Sequence, residues 1–412
     1  MAVYLVGTLD TKGEEIRYAR EILDSRNFLT RVIDAGSLGP PLFEPDISRE
    51  EVFQNAGTTA EAVRVAGNRG DAVAAAARGV TAILSRLDIQ GEVEGVLGLG
   101  GSAGTVIATA AMRALPFGRP KLMLSTLASG QTRPYVGGSD IMMISPIADL
   151  AGLNQLTRAA LWNAANALTG MIQGKRPPRR TRGDHPLVAA TMFGVTTPCV
   201  DRARKTLENH GFEVVVFHAT GVGGESMESL IREDAFLGVL DLTTTELADE
   251  LVGGILSAGP NRLEAAVKAK MPQVVSVGAL DMVNFGPVGT VPDRFAGRRF
   301  HIHNPSVTLM RTTPEENAAI GTWIARVLLK ATVPIVVLIP LRGLSALDAI
   351  GMPFHDPVAD RALFDAIENG LQNHPVVRLE YRDEHINDPG FGEAAANTLL
   401  NLLNASTENA KR

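Results

Sequence analysis

The stretch that most constrains the fold of this chain is Gly98-Leu-Gly-Gly-Ser-Ala-Gly-Thr105. It follows the apolar pair Val96-Leu97 and opens into Val106-Ile-Ala-Thr-Ala-Ala-Met-Arg-Ala-Leu115. The pattern is strand, glycine loop, helix. Glycine lets a backbone adopt positive φ and come close to a ligand. The helix that follows turns unbonded N–H groups and a partial positive charge back on the loop. Such a corner suits an anion, most often a phosphate.

The rest of the first half repeats this alternation. Val3–Gly7 reads as a buried strand, Glu14–Ser25 as a helix with Ile16, Ala19, Ile22 and Leu23 on one face, and Leu29–Asp34 as a second strand. Residues 37–58 read as a long loop, Ala60–Arg78 as a helix continued by Thr81–Leu87, and Gly95–Leu99, Lys121–Ser125 and Asp140–Ile144 as strands. Leu150–Gln173 closes the half as a helix. Alternating strands and helices imply a doubly wound parallel sheet.

Residues 174–186, with the basic run Lys175-Arg-Pro-Pro-Arg-Arg-Thr-Arg182, have the composition of an exposed linker. The pattern then restarts. Strands are expected at Leu187–Met192, Glu213–Phe217, Phe236–Leu242, Gln273–Val277, Arg299–His303, Val333–Ile339 and Val376–Glu380. Helices are expected at Arg202–His210, Met227–Arg232, Thr245–Leu256, Glu315–Leu329 and Glu393–Leu403. A chain of 412 residues exceeds one ordinary core. The expectation is two doubly wound, Rossmann-like α/β domains, 1–180 and 187–412, with a cleft between them.

Composition excludes several classes. A net charge of −6 without a basic domain argues against nucleic-acid binding. No apolar run approaches the roughly 20 residues of a membrane span, and the amino terminus lacks a signal peptide's basic region. A cytoplasmic protein is expected. The single cysteine, Cys199, excludes an intrachain disulfide and a thiolate metal cluster.

Strand one runs into Thr8-Leu-Asp-Thr-Lys12, at the sheet edge where doubly wound folds take ligands. Lys12 offers a point charge for a phosphate, and Asp10 a ligand for magnesium or a ribose hydroxyl. The glycine loop is no Walker loop, because no Gly-Lys-Ser/Thr ends it. Gly98-x-Gly100-x-x-Ala103 matches the looser dinucleotide pattern, but on a later strand, with no acid near Ser125 for a ribose, so a nicotinamide cofactor is rejected. Gly36, Thr126 and Gly130 end neighbouring strands at the same edge. In the second half, Thr196 and Thr197, Gly223 and Gly224, and Asp241 follow or close strands in the same way, and Arg311 precedes a helix start. Together they suggest a second polar pocket. His301-x-His303 places two rings on one face of a strand, yet no tight metal signature exists, and no metal is assigned.

Four stretches together resemble one family: Gly7-Thr-Leu-Asp-Thr-Lys-Gly-Glu-Glu15, the 98–105 loop, Phe193-Gly-Val-Thr-Thr-Pro198, and His303-Asn-Pro-Ser-Val-Thr-Leu-Met-Arg-Thr-Thr-Pro-Glu-Glu316. The chain is similar along essentially its whole length to the tomato mosaic virus resistance protein family, which includes bacterial relatives of unassigned function. The resemblance implies a two-domain α/β module whose amino-terminal half binds ATP, usually within a homodimer. It also implies a barrel-like domain that follows the module in plant members and is a separate partner protein in bacteria. By motif match, nucleotide binding falls to Thr8, Asp10, Lys12, Gly100, Gly101, Ser102, Gly104 and Thr105, and by the edge argument to Gly36, Thr126 and Gly130. Two functions follow as expectations. One is an ATP-dependent enzyme acting on a small anionic metabolite. The other is a non-catalytic nucleotide-sensing module that regulates a separate barrel-type protein.

Overall fold

The computed structural model describes residues 1–174 and 186–410; the basic run 175–182 lies outside them. Backbone contacts divide the chain into two units, Met1–Pro178 and Arg179–Arg412.

The first unit runs β1 (Ala2–Gly7), α1 (Leu9–Asp24), β2 (Thr30–Asp34), α2 (Arg49–Asn55), α3 (Ala60–Ala66), α4 (Arg69–Ile89), β3 (Val93–Gly100), α5 (Ser102–Arg113), β4 (Lys121–Ser125), α6 (Arg133–Val136), β5 (Met142–Ile144) and α7 (Gln155–Gln173). Its five strands are parallel, in the order β2-β1-β3-β4-β5. Successive side chains of a strand point to opposite faces. Val3 and Leu5 accordingly pack with Ile16, Leu161 and Leu168 of α1 and α7. Tyr4 and Val6 pack on the other face with Val80, Ile83, Ile107 and Met112 of α4 and α5. Both faces are covered, which is why β1 and β3 read as continuous apolar runs.

Three boundaries differ from the sequence reading. The helix expected over 60–78 is two: Gly67, at φ 66°, ends α3, and Asn68 starts α4 by accepting N–H bonds from Gly70 and Asp71. The 37–58 loop contains α2, capped by Ser48. Helix α1 begins at Leu9, so the Thr8–Lys12 corner forms its cap and first turn.

The second unit runs β6 (Leu187–Met192), α8 (Thr197–Asn209), β7 (Glu213–His218), α9 (Val222–Arg232), β8 (Gly238–Thr243), α10 (Glu246–Val252), α11 (Glu264–Lys268), β9 (Gln273–Gly278), β10 (Met282–Phe285), β11 (Phe300–Asn304), β12 (Val307–Arg311), α12 (Pro314–Leu328), β13 (Ile335–Pro340), α13 (Pro357–Leu371), β14 (Val377–Arg382) and α14 (Pro389–Ala410). Six parallel strands lie in the order β14-β13-β9-β8-β6-β7. Read from the other edge this is the winding of the first sheet, with the unit's first strand second from the edge. A small antiparallel sheet, β10-β12-β11, interrupts the alternation.

The fold is therefore α/β with two mainly parallel, Rossmann-like sheets, as expected. The sequence reading missed α6, α11, α13, β10 and β12. The signal for α13 was present: Asp356 caps it, Pro357 starts it, and Ala359, Leu363, Phe364, Ile367 and Leu371 form its buried stripe. No helix among the described residues is long and apolar enough to cross a membrane.

Candidate functional site

In the first sheet the chain winds one way from β1 to β2 and the other way from β1 to β3. The loops after β1 and β3 consequently fall side by side at the carboxyl edge, where doubly wound sheets bind ligands. Gly100 ends β3, and a Cβ there would lie 3.0 Å from the Gly104 Cα. A Cβ on Gly104 would lie 2.9 Å from the Leu99 carbonyl oxygen. The two glycines let the first turn of α5 sit against the end of its own strand. Gly101 is the N-cap of α5 and supplies no side-chain cap. The N–H groups of Ser102, Ala103 and Gly104 thus open the helix without an intrahelical partner. Ser102 is exposed at the surface of this turn.

Thr105 is buried and works inward. Its hydroxyl donates to the Gly101 carbonyl (2.7 Å) and pairs with Ser125 Oγ (2.6 Å), which in turn accepts the Leu127 N–H. Thr126 stands beside the helix start, its Oγ1 3.7 Å from where a Cβ on Gly101 would be. Thr126 also lines a cavity of about 360 Å³ with Ser129, Ser145, Ile147 and Asp149, at the ends of β4 and β5. Gly130 closes the adjoining turn, its N–H on the Leu127 carbonyl. Asp149 is a site residue that sequence reasoning missed, since it sits in an irregular segment with no motif around it.

The corner after β1 is tightly tied. Thr8 and Thr11 share a 2.6 Å hydrogen bond. Asp10 Oδ2 accepts the N–H groups of Leu38 (2.8 Å) and Gly39 (3.2 Å), and Arg49 stands 3.9 Å away. The Lys12 ammonium donates to the Leu150 carbonyl, and α1 is kinked at Lys12 (φ −130°, ψ 20°). Gly36 has no room for a side chain because Asp10 and Arg49 would both lie 2.8 Å from its Cβ. Asp34, also missed from sequence, is fully buried at the end of β2. It accepts the N–H groups of Leu9 and Gly36 (2.9 Å each) and the Arg49 Nε (2.7 Å). An acid closing the strand next to β1 was its signal. The 37–41 loop that Asp10 holds borders a second cavity of about 550 Å³, with Arg49, Gln54 and Arg64 on its far wall.

At the corresponding edge of the second sheet the polar residues face one another. Arg262 is 1% exposed and meets three carboxylates: Asp241 through both terminal nitrogens, Glu246 at 2.7 Å and Glu228 at 3.5 Å. Burial lowers the Arg262 pKa but is outweighed by Asp241, Glu246 and Glu228, which hold it well above the usual value. Burial raises the pKa of Glu228 and Glu246 despite the arginine. Gly224 faces Glu246, whose Oε2 would be 2.1 Å from a Cβ there, and Gly223 packs on the His218 carbonyl. Thr196 bonds Thr243 (2.8 Å), and Thr197 donates to the Gly194 carbonyl (3.1 Å).

Arg311 is also buried. It donates to the Phe354 carbonyl (2.7 Å), Thr312 Oγ1 (2.7 Å) and Asp360 (2.6 Å). Of the second-unit residues named from sequence, Thr196, Asp241 and Arg311 are buried and bonded within the fold. Cys199 is buried, and burial pushes its thiol up to about 12, far from a reactive thiolate. Among the described residues no three His, Cys, Asp or Glu side chains gather at metal-binding spacing, His301 and His303 included.

The fold and this edge define a doubly wound α/β protein whose helix α5 starts, without a side-chain cap, at the switch point of its first sheet. The chain belongs to the uncharacterised protein family UPF0261: the family's N-terminal domain matches residues 1–177 and its C-terminal domain residues 185–403. It is 48% identical to a UPF0261 protein of Clostridium tetani over 97% of this chain and 98% of that one. It is 38% identical to the ToMV resistance protein Tm-1(GCR237) of Solanum lycopersicum, over 97% of this chain and 55% of that one. The resemblance drawn from the four motifs is thereby met. Among solved structures, a putative UDP-N-acetylglucosamine 2-epimerase from Listeria monocytogenes aligns over 100% of this chain and 96% of its own. At 13% identity and a TM-score of 0.22, that alignment carries no functional weight.

Proposed function

We propose that the first unit binds ATP with Mg²⁺ at the carboxyl edge between β1 and β3, and that the protein is a nucleotide-sensing module. One observation carries the reading: α5 starts at this switch point with no side-chain cap, beside the hydroxyl-lined cavity of Thr126, Ser129 and Ser145. A helix start of this kind neutralises phosphate oxygens through backbone N–H groups. The cavity of about 360 Å³ lies within the size range of small-molecule pockets, near its lower end. Asp149, with the hydroxyls around it, provides the oxygen ligands that magnesium takes alongside phosphates. Lys12 adds its charge by exchanging the Leu150 carbonyl for a phosphate oxygen.

A sensing role is favoured over an enzyme acting on an anionic metabolite because Asp241, Gly224 and Arg311 are committed internally. The partner proposed is a separate barrel-type protein, acting with a homodimer of this chain in the cytoplasm. Calorimetric titration with ATP and magnesium tests the reading. Wild type should bind, and Lys12→Ala should bind about 10- to 150-fold more weakly, the loss of one charge-assisted contact of about 1.5–3 kcal/mol. Absence of binding by the wild type would end it. ATP-driven turnover of a metabolite would replace sensing with catalysis.

A further inference from the structure

A second constellation lies where β9 and β13 end, in the second unit. Residues 341–356 join β13 to α13 without regular structure, longer than most connections in compact domains. This segment is clasped at several points. The Leu344 carbonyl accepts the Ala279 N–H (2.9 Å), and the Ala346 N–H donates to the Val195 carbonyl (3.0 Å). Ser345 Oγ donates to Asp281 (2.7 Å), and the Ser345 carbonyl meets His385 Nε2 (2.8 Å). Arg311 of β12 holds the Phe354 and Asp356 carbonyls from the other side.

Inside the clasp, three aspartates gather around Arg311: its guanidinium meets the Asp360 carboxylate at 2.6 Å, stands 3.9 Å from that of Asp348, and donates to the main-chain carbonyl of Asp281 (3.4 Å). Asp281 and Asp348 are fully buried. Asp281 Oδ1, Asp348 Oδ1 and His355 Nδ1 have no hydrogen-bond partner. Asp348 Oδ1 stands 3.9 Å from both Arg311 Nη2 and His355 Nδ1. The other charged groups around the cluster are Arg299 and Asp356 at its outer rim (3.7 Å apart), and His385 with Asp388 behind Ser345. On the α12 side, the Arg298–Glu316 pair reaches the Arg311 carbonyl. Within the clasp itself, the positive groups facing the three acids are Arg311 and half-buried His355. Like charges this close in a buried site cannot all ionise.

We propose that Asp281, Asp348 and Asp360 form a proton-operated latch, which when protonated holds residues 341–356 shut over the carboxyl ends of β9 and β13 and when ionised lets the segment open. The edge it covers is the one at which doubly wound sheets take ligands. The latch thus controls access to the second unit and does not depend on nucleotide binding by the first. Burial raises all three acids, Asp281 and Asp348 to about 7 and Asp360 to about 6; repulsion among them adds, while Arg311 opposes. The closed segment thus binds more protons than the open one. Its stability is full below the ordinary aspartate value and falls as pH rises toward 7, by up to about tenfold in the closed-to-open ratio per pH unit for each proton released. Above 7 it levels off.

Hydrogen exchange on the full chain between pH 5 and 8.5, corrected for intrinsic rates, reads this directly. The amides of Ala346 and Phe354 should lose protection up to pH 7 and then plateau, while those of β9 hold. Asp348→Asn and Asp360→Asn should each flatten the slope. Protection independent of pH in the wild type, equal loss in β9, or an unchanged slope in both variants would overturn the latch.

Discussion

Glu246 Oε1 accepts the N–H groups of Gly221 (2.7 Å) and Gly224 (3.0 Å), so the helix start of α9 is already filled by a carboxyl group of the protein itself. At the start of α5 the N-cap is Gly101, which has no side chain to fill the corresponding place. Both turns are glycine-rich and both precede a helix. On the reading proposed above, the α5 corner is left open to a ligand where the α9 corner is filled by the chain.

That contrast predicts the behaviour of Gly101→Asp. The backbone at 101 is extended (φ −83°, ψ −150°), and a Cβ there would find only Thr126 Oγ1, at 3.7 Å, so an aspartate fits as an N-cap. Stability should rise by a few tenths of a kcal/mol. The built-in carboxylate should weaken ATP binding by at least about tenfold through like-charge repulsion. Calorimetry with a thermal melt checks both, and unchanged affinity would remove the α5 start from the site.

Arg262→Leu leaves Asp241, Glu246 and Glu228 buried without their cation. Removing one partner of a buried ion cluster typically costs about 3–5 kcal/mol. Urea denaturation of the variant should show a loss of that size. A loss under about 1 kcal/mol would mean that the cluster does not depend on the arginine for its stability.

Asp249 is driven by burial up to about 7, against hydrogen bonds from Asn284 and Leu256. Its folded value lies above its unfolded one. Its contribution to stability is therefore present at low pH and lost as pH rises from about 4 toward 7, at up to about 1.4 kcal/mol per pH unit. Asp249→Asn should remove that part of the slope. The substitution fits because Asn284 Oδ1 is unpartnered, and a flip of that amide restores the pairing. Stability curves at pH 5 and 8 for both proteins decide it, and parallel pH dependence would refute it.

Gly321 sits where α12 crosses α13, and a Cβ there would lie 2.6 Å from the Leu363 carbonyl oxygen and 2.8 Å from the Ala366 Cβ. Gly→Ala in a helix normally gains up to about 1 kcal/mol. Here the overlap should win, and Gly321→Ala should destabilise by about 1–3 kcal/mol. A raised melting temperature would show that the two helices can separate at little cost.

Much of the fold was legible because short apolar runs and amphipathic stretches alternate with few exceptions. Val3–Gly7 and Lys121–Ser125 matched strands almost residue for residue. Boundaries failed where a local cap decided them, as at Asn68, and β10 and β12 were too short to show a period. The Thr8–Lys12 corner and the 98–105 loop were legible as neighbours because strand order in doubly wound sheets follows general rules. Asp149 was not, since it sits in no motif, and Asp34 showed only as an acid closing a strand.

By itself the sequence determined the class of fold, the glycine corner at 98–105 and the family, because these depend on local periodicity and contiguous motifs. Tertiary structure decided which polar residues face a ligand and which face each other. Asp241 meets Arg262, Glu246 meets Gly224, and Arg311 meets Asp360 across separations of 21, 22 and 49 residues. A buried charge must find its partner wherever the chain brings one, and contacts made at that range leave no spacing in the sequence to read.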